Sequence, residues 1–166
     1  MSSTASGPKS FAGLYRWLLL SVFSGMTAGV FDALYFTARA LLRDQSPLRP
    51  LHNIAAFWLG NASFSGGVKS AILGIVTHFA LSVSMAAIYA AIALNWSSIR
   101  NRPMIFGAIY GVFLYYVMYY IVMAVRWPTL FPRFEGVNTG ITIIVHIVFG
   151  IIIAFVVLKG DRKKIR

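Results

Sequence analysis

Asp32, His78 and His146 each interrupt a long apolar run, where ionisable groups are scarce. A carboxylate placed in hydrocarbon costs about 2.5–3.5 kcal/mol on insertion scales, so such a residue marks a functional site by default. His changes charge near neutral pH and is a common metal ligand. Three chemistries suit an acid and two imidazoles on separate helices. They can relay protons or gate a cation path. The two His can ligate haem iron from facing helices of a bundle. All three can hold a divalent metal as a two-His, one-carboxylate set. A fourth use involves no chemistry: a polar knot that fixes helix register. A further run adds Tyr115, Tyr116 and Tyr119, either as an aromatic lining or as packing groups with hydroxyl partners. These six residues form the expected site.

Their heights support one layer. At about 1.5 Å per residue, Asp32, His78 and His146 fall roughly 10, 12 and 13 Å below the outer ends of their spans, with the three Tyr near the same level. Each titratable residue also lies on a stripe of small residues. Ser70, Gly74, Ser82, Ala86 and Ala90 flank His78 at intervals of four; Ser21, Gly25, Ala28 and Gly29 lead to Asp32; Thr139, Thr142, Gly150 and Ala154 surround His146; Gly107 and Gly111 lead to Tyr115. Small stripes let membrane helices approach closely, because burial alone cannot drive assembly among lipid tails that are as apolar as Leu. Such stripes leave little room for a porphyrin.

The elements that must position these residues are four spans of about 17–38, 70–94, 104–125 and 137–158, long enough to cross a bilayer. Pro47 and Pro50 end the first helix. Residues 51–59 then read as a short helix, too short to span, with Phe57 and Trp58 suited to the interface. Pro128 and Pro132 break the connection before the fourth span. Residues 1–13 read as a disordered tail and 159–166 as a basic cytoplasmic tail. The expected fold is an all-α integral membrane protein, a four-helix transmembrane bundle with a short interfacial helix in the first outer loop. The first span is too long for a signal-peptide core, although Ala38-Arg39-Ala40 has the small-x-small form. Gly29-Val-Phe31 and Gly111-Val-Phe113 hint at an internal repeat of two hairpins.

Composition agrees. Of 166 residues, 58% are hydrophobic and 11% charged, against about a quarter charged in soluble domains. The net charge of +11 sits just outside the apolar runs, so it sets orientation and meets anionic headgroups rather than nucleic acid. Nine bases on the side of the termini against six on the other predict that both ends are cytoplasmic. There is no Cys, which excludes disulfides, thiolate metal sites and Cys nucleophiles. No G-x-S-x-G, H-E-x-x-H or P-loop is present, and the chain is not expected to be an enzyme. His52 lies in the first outer loop and is expected to be solvated. Arg39 is expected to snorkel outward or pair through water.

From Gly74-Ile-Val-Thr-His78 through Tyr89, the glycine-bearing third span, the Pro128–Pro132 turn and the His146 helix, the chain resembles the YagU-like group of bacterial four-span inner-membrane proteins. The resemblance implies an inner-membrane location and a role in acid or envelope stress, and carries over no catalytic residue. The expected function is an integral inner-membrane protein that handles protons or a cation through the Asp/His layer. The alternatives are a structural or accessory subunit docking through its glycine faces and outer loop, and a haem- or metal-binding membrane protein. No cofactor is required; haem or a divalent metal are the two this set would suit. The expected partners are the lipid bilayer and a second copy or a membrane complex.

Overall fold

A computed structural model describes residues 11–162. All regular structure among them is helical. The elements are α1 (Phe11–Leu41), α2 (Arg49–Leu59), α3 (Gly67–Asn95), α4 (Ser97–Asn101), α5 (Pro103–Tyr116), α6 (Met123–Arg126) and α7 (Val137–Arg162). A 3-10 turn, Gly60–Phe64, joins α2 to α3, and a π-helical segment, Val117–Val122, joins α5 to α6. Four helical stretches are long and apolar enough to span: Phe11–Leu41, Gly67–Asn95, Pro103–Arg126 and Val137–Gly160. The chain is a multi-pass membrane protein with an all-α four-helix bundle. Large apolar side chains such as Phe23, Leu34, Val76, Ile109 and Ile144 are more than half exposed around it, which is the surface that lipid solvates.

The helices run past the expected bounds. Residues 11–13, read above as tail, are the first turn of α1, and α7 continues through Arg162. Residues 1–10 and 163–166 of the two expected tails lie outside the described residues. At 1.5 Å per residue the 31 residues of α1 measure about 46 Å, well beyond the roughly 30 Å of hydrocarbon. The surplus stands in the headgroup layer, and α2 and the 127–136 connection gather around it.

Four spans assemble as two tight pairs, α1 with α3 and α5 with α7, joined mainly where α1 meets α7. Glycines make each pair tight. A Cβ on Gly25 would come within 2.5 Å of Val83 Cα, and one on Gly111 would strike the His146 backbone carbonyl. The expected stripes are therefore real contact surfaces. Three of their hydroxyls, however, bond back along their own helices: Ser21 to the Trp17 carbonyl at 2.7 Å, Ser82 to that of His78 at 2.9 Å and Thr142 to that of Asn138 at 2.8 Å. These three serve as small self-satisfied spacers. Larger side chains bond between helices. Trp17 donates to the Ala87 carbonyl at 2.9 Å and Tyr110 to the Met85 carbonyl at 2.7 Å. The buried core, including Ala28, Ala86, Tyr89, Tyr110, Phe149 and Ile153, fills the half of the bundle nearer the termini.

Candidate functional site

At the opposite end, where α2 and the 127–136 connection lie, the two pairs part around a cavity of about 770 Å³. Its floor is Met85, Leu114 and Phe149, above the Tyr110–Met85 bond. Its walls carry Asp32, His78, His146, Tyr115 and Tyr119, so five of the six expected residues share one space. The volume lies within the range of small-molecule sites, and corrects the expectation that small stripes leave little room.

Asp32 and His78 face each other across the α1–α3 contact that Gly29 permits. His78 is buried, and its Nε2 lies 2.9 Å from the Gly29 carbonyl. A carbonyl only accepts, so Nε2 carries a hydrogen and donates. That leaves Nδ1, 4.0 Å from Asp32 Oδ2. The gap is too long for a direct hydrogen bond and spans what one water bridges. With Nε2 committed, Nδ1 is the ring atom left facing the carboxylate.

His146 belongs to the other helix pair. Its Nδ1 donates to the Thr142 carbonyl at 2.9 Å, which leaves Nε2 as the acceptor. The ring stands edge-on to Tyr115 and Tyr119, at centroid distances of 5.6 and 5.9 Å, and those two rings stack at 4.8 Å. Tyr116 departs from expectation. It lies on the outside of the bundle, stacked on Tyr120 at 4.9 Å. Neighbouring residues on a helix point about 100° apart, so Tyr115 and Tyr116 cannot both face inward. The π-helical segment starts just after them. Such wider turns recur at functional sites, and this one lets Tyr120 reach the Tyr115 ring five residues back, at 6.3 Å.

The roof is α2 with the aromatic connection. Arg126 donates from Nε to the Phe57 carbonyl at 2.8 Å, Phe57 meets Trp127 at 6.3 Å, and Trp58 donates to Thr77 Oγ1 at 3.0 Å. His52 is not free in solvent. It is half-buried, with Nε2 donating to the Gly67 carbonyl at 3.1 Å, and ties the start of α2 to the start of α3.

Sequence reasoning singled out Arg39 alone among the arginines at the rim. Arg39, Arg43, Arg49 and Arg133 line the cavity against two carboxylates, Asp32 and Glu135, and Arg133 already pairs with Glu135. Arg39 makes no ion pair with Asp32. It donates to Tyr35 Oη at 3.3 Å and to Asn138 Oδ1 at 2.9 Å, and Arg43 donates to the same Oδ1 at 3.2 Å. The available signal was the i, i+4 spacing of two Arg at the end of a span. A cationic rim opposes metal cations and attracts anions.

The metal and haem readings lose their geometry. Among the described residues no three His, Asp or Glu side chains converge on a metal position. His78 uses Nε2 on a backbone carbonyl, which removes one of two axial nitrogens for haem. Of the two docking surfaces of the accessory-subunit reading, the glycine faces are taken, since Gly25, Gly29, Gly107, Gly111 and Gly150 all face other helices of the same bundle, which leaves the outer loop.

No protein-family model, curated protein or solved structure matches the chain. Nothing in those comparisons bears on the resemblance to the YagU-like group. The site must therefore be read from its own geometry.

Proposed function

We propose that this is a bacterial inner-membrane protein, both termini cytoplasmic, that handles protons at Asp32–His78 in a cavity open toward the outer face. It performs no enzymatic step, and its arginine rim disfavours metal cations as the transported species. The observation that carries the reading is the committed Nε2 of His78, which leaves Nδ1 turned toward Asp32 at 4.0 Å. A purely structural knot would be expected to close that gap with a direct bond. Tyr115, Tyr119 and His146 line the same space and supply hydroxyls and an acceptor nitrogen for a water-borne proton.

The test is proton flux in proteoliposomes under a pH gradient. Asp32→Asn keeps the shape and removes the charge, and flux should fall on the order of 10²-fold, the scale of a positioned acid–base group. Wild-type flux in a folded Asp32→Asn protein, or no flux from wild type at all, sinks the reading.

A further inference from the structure

Arg39, Arg43 and Asn138 bring two guanidinium groups onto one neutral oxygen. Among the described residues neither Arg39 nor Arg43 has a carboxylate partner; their hydrogen bonds go to Tyr35 and Asn138. Two like charges drawn together without a counterion leave several donors and unbalanced charge facing outward. Planar guanidinium forks match phosphate and carboxylate oxygens, and such charge-assisted bonds are about twice as strong as neutral ones.

A second opening reaches the same three residues. A groove of about 460 Å³ runs between α1 and α7, lined by Tyr35, Ala38, Leu42 and Ile141 beside Arg39, Arg43 and Asn138. Its apolar wall is exposed on the bundle surface: Leu42 is 86% exposed and Ile141 39%. Depth completes the argument. With the middle of α1 at the bilayer midplane, Arg39 stands about 20 Å away, beyond the roughly 15 Å half-thickness of hydrocarbon and at headgroup height. Tyr35 and Ile141 lie about one turn nearer the midplane on their helices. The groove thus begins with cations at the headgroups and continues with apolar walls toward the acyl chains.

We propose that this groove binds one phospholipid of net negative headgroup, its phosphate on Arg39 and Arg43 and one acyl chain along Ala38 and Ile141; a headgroup that carries its own cation beside the phosphate competes with the two arginines and is disfavoured. This goes beyond the proton reading and stands on different atoms. A carboxylate at position 138 would occupy the anion site from within. Asn138→Asp is nearly isosteric, sits in the first turn of α7 where negative charge is favourable, and gives both arginines a partner.

The experiment is native mass spectrometry of delipidated protein titrated separately with phosphatidylglycerol, phosphatidylcholine and glycerol 3-phosphate. Wild type should hold one phosphatidylglycerol about tenfold more tightly than phosphatidylcholine, and both Asn138→Asp and the double variant Arg39→Gln/Arg43→Gln should lose that preference. An unchanged thermal melt of Asn138→Asp separates loss of the site from loss of the fold. The proposal fails if Asn138→Asp keeps the preference, if phosphatidylcholine binds wild type as well, or if glycerol 3-phosphate displaces the lipid at equal concentration. The titration involves no pH gradient, so its outcome is separate from that of the flux measurement.

Discussion

At the level of single residues, the bundle depends on positions where nothing larger than hydrogen fits. Gly111 is among the strictest, because a Cβ there meets the carbonyl of His146, a fixed backbone atom, in place of a side chain that could turn away. Gly111→Ala should therefore separate α5 from α7, at a cost of about 1–3 kcal/mol for overpacking. A melt followed by circular dichroism in detergent checks this, and an unchanged midpoint would mean that the helices slide past the obstacle. The same substitution displaces His146, so the cavity wall and the pair contact share one residue. How much of this the sequence disclosed differs by residue. Gly107/Gly111 and the His78 stripe were legible because small residues at intervals of four have one physical use in lipid. The partners were not: Arg39 meets Asn138 across 99 residues of chain, and no local period encodes that meeting. Tyr116 was misplaced because a shared height was allowed to stand for a shared direction.

At the level of elements, α2 is the piece whose role changes most between sequence and structure. Pro50 at its start and Gly60 at its end made its existence plain. Its bounds, though, describe an interfacial helix only, whereas the contacts make it a cover. Leu51 rests on Gly74 closely enough that a Cβ would strike its backbone carbonyl, and Trp58 bonds Thr77 in the next turn. Gly74→Ala should lift α2 from α3 while the spans hold, because α1 packs on α3 further along the helix, at Phe79, Ser82 and Val83. Hydrogen exchange should rise across residues 49–59 with little change in the cores of α1 and α7. Uniform protection in the variant would show that α2 is held from its other side, through Arg126 and Phe57.

At the level of the whole molecule, four long apolar runs settled the class before any coordinates, since only helices or closed barrels satisfy every backbone group in hydrocarbon. The cavity was beyond such reasoning. Periodicity tells which face of each helix is buried; it does not tell that two pairs close at one end and part at the other. The orientation of the bundle is open to a direct check, because the chain has no Cys. A single Cys at Ser97, in α4, should be reached by a membrane-impermeant maleimide only from the cytoplasmic side, and one at Thr129 only from the outside. The reverse pattern would turn the cavity, and the proposed proton site with it, toward the cell interior.

The seam between the pairs has a mechanical corollary. Each pair is locked along its length by glycine, while the α1–α7 contact joins the two, with Tyr110 on Met85 at the inner end and Arg39 and Arg43 on Asn138 at the outer end. Stiff jaws yield only where they meet. Any motion that unseals the floor must cost the Tyr110–Met85 clasp first, and it opens a way toward the termini without loosening either jaw.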